Sequence, residues 1–183
     1  MNKQEIVTLF NSMRPDFFER EYIRALPGEE IFDEMILPLA DFDADKYEKI
    51  FDSSVTFGIY NGSLDKIRKI VEKVDEDWAQ YYNGDERIYC GYVHGEPVSF
   101  CQISDMGAHS INGRELKIGG PGCVGTLPEY RGRGIGLTMV DHVTRILKEE
   151  GYDLSYIHFT YVAEWYGKLG YKTVLQWNRN GIL

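Results

Sequence analysis

A short glycine- and arginine-rich segment leads directly into an amphipathic stretch of the chain. The segment contains Arg131, Gly132, Arg133, Gly134 and Gly136. Glycine lets a backbone turn tightly and approach a ligand closely. The apolar residues that follow, within 136–147, recur with a helical period, and Gly151 stands where such a helix should end. A glycine turn at a helix N-terminus directs unpaired N–H groups and the positive end of the helix dipole at one point, which predicts a phosphate or diphosphate site.

The same segment resembles motif A of the GNAT superfamily of N-acetyltransferases, written Arg/Gln-x-x-Gly-x-Gly/Ala after a strand. Arg131, Gly134 and Gly136 fill the three defining positions. Residues 126–130, Thr-Leu-Pro-Glu-Tyr, are similar to the family's Val-x-Pro-Glu-Tyr-like lead-in, with threonine where valine is commoner.

A second stretch, residues 163–171, is similar to the family's closing motif, a helix ending in Tyr-x-x-x-Gly-Phe/Tyr before a last strand. Tyr166, Gly170 and Tyr171 fill its positions. Two motifs in the expected order are far more specific than either motif alone. The resemblance runs from about residue 55 to the C-terminus, whereas the first fifty residues match no pattern of the family.

The hydrophobic pattern agrees with the mixed α/β order that the resemblance implies. Strands are predicted at 55–60, 87–93, 98–104, 116–124, 153–159 and 173–177, and helices at about 67–78, 135–150 and 162–169. The strand after the long helix should run parallel to the strand before it. We therefore expect an α/β fold with a mixed central sheet flanked by helices, in one domain of residues 1–183. Within it, residues 53–183 should form the GNAT-like core and residues 1–52 a helical N-terminal extension, with helices at 3–24 and 29–37.

The resemblance implies acetyl-CoA as co-substrate and assigns its binding residues. The diphosphate should face the main-chain N–H groups of Arg131, Gly132, Arg133, Gly134, Ile135, Gly136 and Leu137. The pantetheine arm should pair like an extra strand with the main chain of Val124, Gly125 and Thr126. One N–H of that strand would polarise the thioester carbonyl, as a fixed dipole in an oxyanion hole does.

The resemblance also implies a general acid, but it leaves the general base open. Tyr166 occupies the position where many family members keep a tyrosine that protonates the departing thiolate, and a phenol is protonated at neutral pH.

Several relatives carry a glutamate before the lead-in, yet residues 119–124 contain no carboxylate. His158 is the candidate base because an imidazole titrates near neutrality. A water relay, or an amine that arrives already neutral, remains an alternative. Phe159 and Thr160 stand where the family often has an asparagine that contacts the pantetheine.

The composition narrows the class of partner and of compartment. A formal net charge of −9 argues against a nucleic-acid binder and is compatible with a cationic amine substrate. Three cysteines without paired spacing indicate neither a disulfide framework nor a zinc site. The acidic residues of 41–45 lack the glycine and glutamate of a calcium loop, so we interpret them as solvated acids and helix caps. No signal peptide or membrane span is apparent, and we expect a cytoplasmic protein that involves no membrane and no metal.

Other interpretations of the same residues make different predictions. Residues 120–125 satisfy Gly-x-Gly-x-x-Gly, but that dinucleotide motif should open a helix directly, and here a Leu-Pro pair follows. A GNAT-fold module that binds acetyl-CoA as a sensor or scaffold without turnover is the main alternative. A nucleotide-binding protein that transfers phosphoryl groups would need the motif Gly-x-x-x-x-Gly-Lys-Ser/Thr, which this sequence lacks. The acceptor is expected to be a small-molecule amine or a peptide. The aromatic and acidic N-terminal fifty residues suit a hydrophobic or cationic amine, or a helical subdomain that covers the core or forms a homodimer.

Overall fold

The computed structural model describes residues 1–46 and 54–183 as an α/β protein. The helices in these ranges are α1 (Lys3–Met13), α2 (Glu21–Arg24), α3 (Leu64–Val71), α4 (Ile135–Glu149) and α5 (Ala163–Gly167). The strands are β1 (Phe32–Pro38), β2 (Val55–Ile59), β3 (Arg87–Val93), β4 (Glu96–Ile111), β5 (Arg114–Thr126), β6 (Leu154–Thr160), β7 (Lys172–Asn178) and β8 (Gly181–Ile182). Short 3₁₀ helices occupy Phe17–Glu19, Ala44–Lys46, Glu76–Tyr81 and Pro128–Tyr130.

The described strands form one mixed sheet in the order β2-β3-β4-β5-β6-β1-β7-β8. Neighbours pair antiparallel except β5 and β6, which are parallel because α4 carries the chain back across the sheet. The predicted mixed α/β fold and the parallel pair are confirmed. Strands β4 and β5 are longer than predicted because Asn112 and Gly113, with φ of 51° and 77°, form a tight turn that lets the hairpin extend to its end.

The N-terminal region contributes both a helix and a central strand. The predicted N-terminal helix is confirmed by α1, but the helix predicted for residues 29–37 is wrong, because β1 runs antiparallel between β6 and β7 there. Met35 and Leu37 pack on one face of the sheet and Ile36 packs on the other. A strand that is buried on both faces has a continuous apolar run, and such a run cannot be told from a short buried helix by periodicity. The predicted boundary between residues 52 and 53 lies outside the described residues.

The helices cover the two faces of the sheet. Helix α4 and the tyrosine of α5 pack on one face, in a core that includes Met139, Val143 and Tyr166. Helices α1 and α3 pack on the other face, where Leu9 and Ile67 are fully buried. Burial of these side chains supplies the main driving force for folding. Beside the middle strands β5, β6 and β1, each face of the sheet therefore has its own hydrophobic cluster.

A network of buried hydroxyl groups links helix α4 to strand β6. The hydroxyl of Tyr171 lies 2.8 Å from Thr144 Oγ1 on α4 and 2.7 Å from Ser155 Oγ on β6. Thr144 Oγ1 also donates to the Val140 carbonyl at 2.8 Å. Hydrogen bonds between buried hydroxyls stabilise the fold because an unpaired hydroxyl there has no water to bind.

Candidate active site

The parallel strands β5 and β6 pair only briefly and then separate. Their ladder consists of Ile118 with Leu154 and Gly119 with Ser155. At Gly120 the strands still touch, since a Cβ atom there would lie 1.9 Å from the carbonyl oxygen of Tyr156. Beyond that point, no ladder joins residues 121–126 to β6 within the described ranges. The separation leaves a gap between the two strands, and main-chain groups on this edge of β5 are open to an extended ligand.

Strand β5 carries a bulge beside this gap. Phe100 of β4 pairs with Gly125 and Gln102 pairs with Gly122, so Cys123 and Val124 together oppose one residue of β4. Cys123 has a φ of 45°, in the left-handed region that an extra residue in a strand can adopt. The glycines of residues 120–125 therefore lie in a bulged strand. Because residues 120–125 lie within β5, they do not form the turn into a helix that a dinucleotide motif requires.

The glycine loop, residues 131–137, connects the end of β5 through a short 3₁₀ helix to α4. Gly134 is the N-cap of α4 with φ 73° and ψ 0°, a conformation that favours glycine, and no side chain caps the helix. In the described ranges, the main-chain N–H groups from Gly132 to Leu137 donate to no acceptor. The loop is exposed from Arg131 to Arg133. Unpaired N–H groups at the positive end of a 15-residue helix form a site for an anion, and most of all for a phosphate.

The two arginine side chains bind the main chain close to the glycine loop. Arg131 Nε donates to the Thr126 carbonyl at 3.0 Å, and Arg133 Nη2 donates to the Glu129 carbonyl at 3.2 Å. Arg133 also lies over the ring of Tyr130, 5.3 Å from its centroid. The arginines therefore hold the loop in shape and place positive charge beside its N–H groups. The charge-assisted contact predicted from both side chains to a diphosphate remains a prediction.

Gly136 packs closely against two side chains. A Cβ atom at this position would lie 3.0 Å from Thr126 Oγ1 and 3.4 Å from Cζ2 of Trp165. The absence of a side chain lets the first turn of α4 lie against the end of β5 and against α5. A Cβ atom here would require these neighbours to shift by a few tenths of an ångström.

Tyr166 lies on α5, on the α4 face of the sheet, and is buried in the core cluster that also contains Cys101. Cys101 of β4 belongs to this cluster and Val124 of the bulge packs against it, so the cluster that holds Tyr166 extends to the strand edge at the gap. Burial raises the pKa of Tyr166 well above that of a free tyrosine. No hydrogen bond from its hydroxyl to another described residue is present. The phenol is therefore a protonated donor without an internal partner.

His158 lies on β6, on the opposite face, and its imidazole is 20% exposed. Its Nδ1 atom is 2.9 Å from both carboxylate oxygens of Glu34, which comes from β1 and is fully buried. The imidazole also packs edge-on against Phe17, with ring centroids 5.3 Å apart. The structure thus places His158 and Tyr166 near the same gap but on different sides of the sheet.

Glu34 is predicted from the sequence only as one acidic residue of the N-terminal fifty, and its contact with His158 is not predicted. It was assigned to a helix, and its partner His158 is 124 positions away in the chain. The available signal is chemical: residues 32–37 read Phe-Asp-Glu-Met-Ile-Leu, so an acidic residue stands inside an apolar run. A fully buried carboxylate is rare without a partner, and this one accepts hydrogen bonds from three groups.

Other features of the structure lie away from this arrangement. A cavity of about 600 Å³ lies at the start of β6 and the end of β1, and Pro38, Leu154 and Lys172 are among its lining residues. Tyr166, His158 and the residues of the glycine loop do not line this cavity. Within residues 1–46 and 54–183, no group of three or more His, Cys, Asp or Glu side chains is arranged to hold a metal ion. None of the described helices has the length and apolarity that a membrane crossing requires.

Solved structures with the same fold share little sequence with this chain. A GCN5-related glucosamine N-acetyltransferase region of a fungal multi-domain GH3 β-N-acetylglucosaminidase is 22% identical, with a TM-score of 0.63 over 82% of this chain and 20% of its own. A GCN5-related N-acetyltransferase from Kribbella flavida is 17% identical, with a TM-score of 0.56 over 81% of this chain and 56% of its own. One from Sphaerobacter thermophilus is also 17% identical, with a TM-score of 0.53 over 78% and 48%. The chain thus spans at most 56% of the length of these structures, and at such identities the likeness shows the fold.

The sequence itself matches a family. No curated protein matches it significantly. The Acetyltransferase (GNAT) domain family matches residues 51–174, which include the gap, the bulge, the glycine loop and both His158 and Tyr166. Among the residues that the structure describes, β1 with its Glu34, the helices before β1 and the 3₁₀ helix Ala44–Lys46 precede the matched region. This chain therefore belongs to the GNAT acetyltransferase family.

Proposed function

We propose that this protein is an acetyl-CoA-dependent N-acyltransferase. It transfers an acetyl group to a primary amine of a small molecule or peptide, by direct attack in a ternary complex. The observation that carries the proposal is the position of the unpaired N–H groups of the glycine loop at the end of the same strand whose bulge borders the gap. One extended ligand with a diphosphate at one end and a thioester at the other matches both features.

The residues present fit acetyl-CoA. The N–H groups from Gly132 to Leu137 donate to no acceptor among the described residues and are suited to a diphosphate. The guanidinium groups of Arg131 and Arg133 add positive charge. Among the strands that the structure describes, none pairs with residues 121–126 of β5 on the side of the gap, so Val124, Gly125 and Thr126 would bind the pantetheine arm through the main chain. When bound, acetyl-CoA supplies the acetyl thioester.

The side chains beside the gap supply the two proton transfers that the reaction needs. The amine nitrogen forms a bond to the carbonyl carbon as the carbon–sulfur bond breaks. Tyr166 donates its phenolic proton to the departing sulfur, because burial keeps the phenol protonated at neutral pH. His158 accepts the proton that the amine loses. A main-chain N–H at the bulge polarises the carbonyl oxygen, and this fixed dipole needs no reorganisation during the reaction.

The surroundings of His158 indicate the class of acceptor. The imidazole packs near the rings of Phe10, Phe17 and Phe159, with centroid distances of 6.4, 5.3 and 5.8 Å. The chain carries a formal net charge of −9. Phe10 and Phe17 are buried in the core, whereas Phe159 is partly exposed, so its ring is the one of the three that an acceptor beside the imidazole would meet. An aromatic ring at this place and a negative protein favour a hydrophobic or cationic amine. We therefore place the acceptor on the α1 face of the sheet.

A non-catalytic acetyl-CoA sensor is the alternative function, because β5 has no carboxylate in residues 119–124. The experiment that separates the two is release of CoA thiol from acetyl-CoA in the presence of a panel of amines. The panel should contain aromatic monoamines, aliphatic diamines and peptides with a free N-terminus. Thiol release that depends on one class of amine supports the enzyme. Tight binding of acetyl-CoA, with no release above the protein-free rate for any amine of the panel, supports the sensor.

A further inference from the structure

The carboxylate of Glu34 accepts hydrogen bonds from both strands that neighbour β1, namely β6 and β7. Its Oε1 atom accepts from Trp177 Nε1 at 2.7 Å and from the main-chain N–H of Phe159 at 3.2 Å. Its side chain is completely buried, and His158 Nδ1 lies 2.9 Å from both of its oxygens. Strand β1 thus delivers one carboxylate to β7 and to the irregular end of β6, where Phe159 has a φ of 57°.

These contacts determine which nitrogen of His158 carries a proton. The indole and the main-chain N–H can only donate, and an ionised carboxylate can only accept. The remaining oxygen of Glu34 therefore accepts from His158 Nδ1, so Nδ1 carries hydrogen in both the neutral and the protonated imidazole. When the imidazole is neutral, its free lone pair must be on Nε2. In the described ranges, Nε2 makes no hydrogen bond.

The imidazole belongs to the part of β6 that borders the gap. His158 follows the point where β6 leaves β5, and one fifth of its side chain is exposed. The rings of Phe10, Phe17 and Phe159 surround the remainder. Their packing and the carboxylate together restrict the ring to one orientation, as an orienting carboxylate does for a catalytic histidine.

We propose that Glu34 is a positioning residue that holds His158 as the Nδ1–H tautomer, so that Nε2 accepts the proton of the acceptor amine. This inference rests on the proposed N-acyltransferase function. As the amine nitrogen bonds to the carbonyl carbon, its proton moves to Nε2, and the carboxylate stabilises the imidazolium that forms. Strand β1, which precedes the region matched by the family, thereby contributes one residue, Glu34, to the catalytic apparatus.

The decisive variant is Glu34→Gln, because the existing donors control how the new amide is oriented. Trp177 Nε1 and the Phe159 N–H retain the amide oxygen at the Oε1 position. The amide NH₂ then faces His158 Nδ1, which must accept a hydrogen bond, and the neutral imidazole carries its proton on Nε2 instead. We expect kcat to fall by roughly 10²–10⁴-fold, the range for loss of an oriented general base, while the affinity for acetyl-CoA stays unchanged.

Two controls separate positioning from a structural role. Asp33→Asn removes the neighbouring carboxylate of the same strand, whose only described hydrogen bond is from Gln176 Nε2 at 3.1 Å, and it should leave kcat unchanged. In a His158→Gln background, Glu34→Gln should cause little further loss, because residues that act as one unit are not additive. Full additivity of the two losses would overturn the proposal.

Long-range ¹H–¹⁵N NMR of the histidine side chains tests the tautomer without any turnover. The chain has four histidines, and the signals of His158 are identified by their loss in His158→Gln. The neutral wild-type imidazole should show hydrogen on Nδ1, and Glu34→Gln should show it on Nε2. A wild-type Nε2–H tautomer would overturn the proposal even if Glu34→Gln fails to fold. Failure to bind acetyl-CoA in a separate titration would instead count against the proposed function, while the NMR result still decides the role of Glu34.

Discussion

His158 and Tyr166 lie on opposite faces of the sheet, on the two sides of the gap between β5 and β6. The residue before His158, Ile157, packs in the same core cluster as Tyr166, and side chains alternate along a strand. His158 instead contacts the rings of Phe10 and Phe17. In the proposed reaction, the amine therefore approaches from the α1 face, and the departing sulfur is protonated from the α4 face. The acid and the base need not compete for the same space.

Replacement of Tyr166 by phenylalanine should lower turnover without lowering stability. The hydroxyl has no hydrogen bond to a described residue, so its removal leaves no internal partner unsatisfied. We expect kcat to fall by roughly 10²–10⁴-fold, as for loss of a general acid, with unchanged affinity for acetyl-CoA. Steady-state kinetics and thermal unfolding measure the two effects. Wild-type turnover in Tyr166→Phe would remove this residue from the mechanism.

Tyr171→Phe is the matched control and should show the reverse behaviour. Its hydroxyl bonds Thr144 at 2.8 Å and Ser155 at 2.7 Å, and both partners are fully buried. Loss of these hydrogen bonds should lower the free energy of unfolding by about 1–3 kcal/mol. The rate per folded molecule should remain close to that of the wild type, as measured at a temperature where both proteins are folded.

Substitutions of Gly134 should weaken binding of acetyl-CoA through the backbone. An alanine at φ 73° costs about 1–2 kcal/mol, and relief of this strain turns the N–H groups of the loop away from their common point. Gly134→Val should abolish binding, and Gly134→Ala should weaken it. Gly151→Ala at the other end of α4 is the control, since Gly151 has φ 77° with open space around it. Equal loss of affinity in both alanine variants would show that the effect is one of general stability.

Removal of residues 1–38 should prevent folding, although the family match begins at residue 51. The deletion takes β1 out from between β6 and β7 and leaves both with unpaired edges. Circular dichroism and solubility of residues 39–183 would measure the result. Deletion of residues 181–183 is the control, because β8 pairs with β7 through only two residue pairs at the edge of the sheet. A cooperative thermal transition for residues 39–183 would show that β1 is dispensable.

The cysteine thiols should react slowly in the folded protein. Burial raises the pKa of Cys123 to about 11 and that of Cys90 to about 12, and it raises the pKa of Cys101 well above its ordinary value. At pH 8 the reactive thiolate is scarce, so Ellman's reagent should label the three thiols quickly only after unfolding. The raised thiol pKa values also make stability depend on pH. The thiols of the unfolded chain ionise near pH 8.5, so protonated thiols cost the folded state nothing below that pH. As the pH rises from 8.5 toward the folded pKa values, ionisation favours the unfolded chain and the free energy of unfolding falls. Rapid stoichiometric labelling of the folded protein at pH 8 would contradict this description of the site.

Local sequence signals predicted the backbone of the glycine loop and of the bulge, because they depend on backbone chemistry, while cofactor binding at these residues stays a prediction. The positive φ of Gly134 and the bulge at Cys123 follow from glycine-rich segments whose conformations few other residues adopt. Glu34 and β1 could not be found in the same way. A strand buried on both faces has no alternating pattern, and the pairing of Glu34 with His158 depends on which strands become neighbours. Such long-range pairing leaves no local mark in the sequence.

Calorimetric titration of the purified full chain with acetyl-CoA tests most directly whether the glycine loop and the edge of β5 bind this ligand. The unpaired N–H groups of the glycine loop and the open edge of β5 predict saturable binding of one acetyl-CoA per chain. The same titration with Gly134→Ala should show weaker binding, and with Gly151→Ala it should match the wild type. A folded wild-type protein that gives no binding heat, and no rise in melting temperature with excess acetyl-CoA, would contradict the central claim.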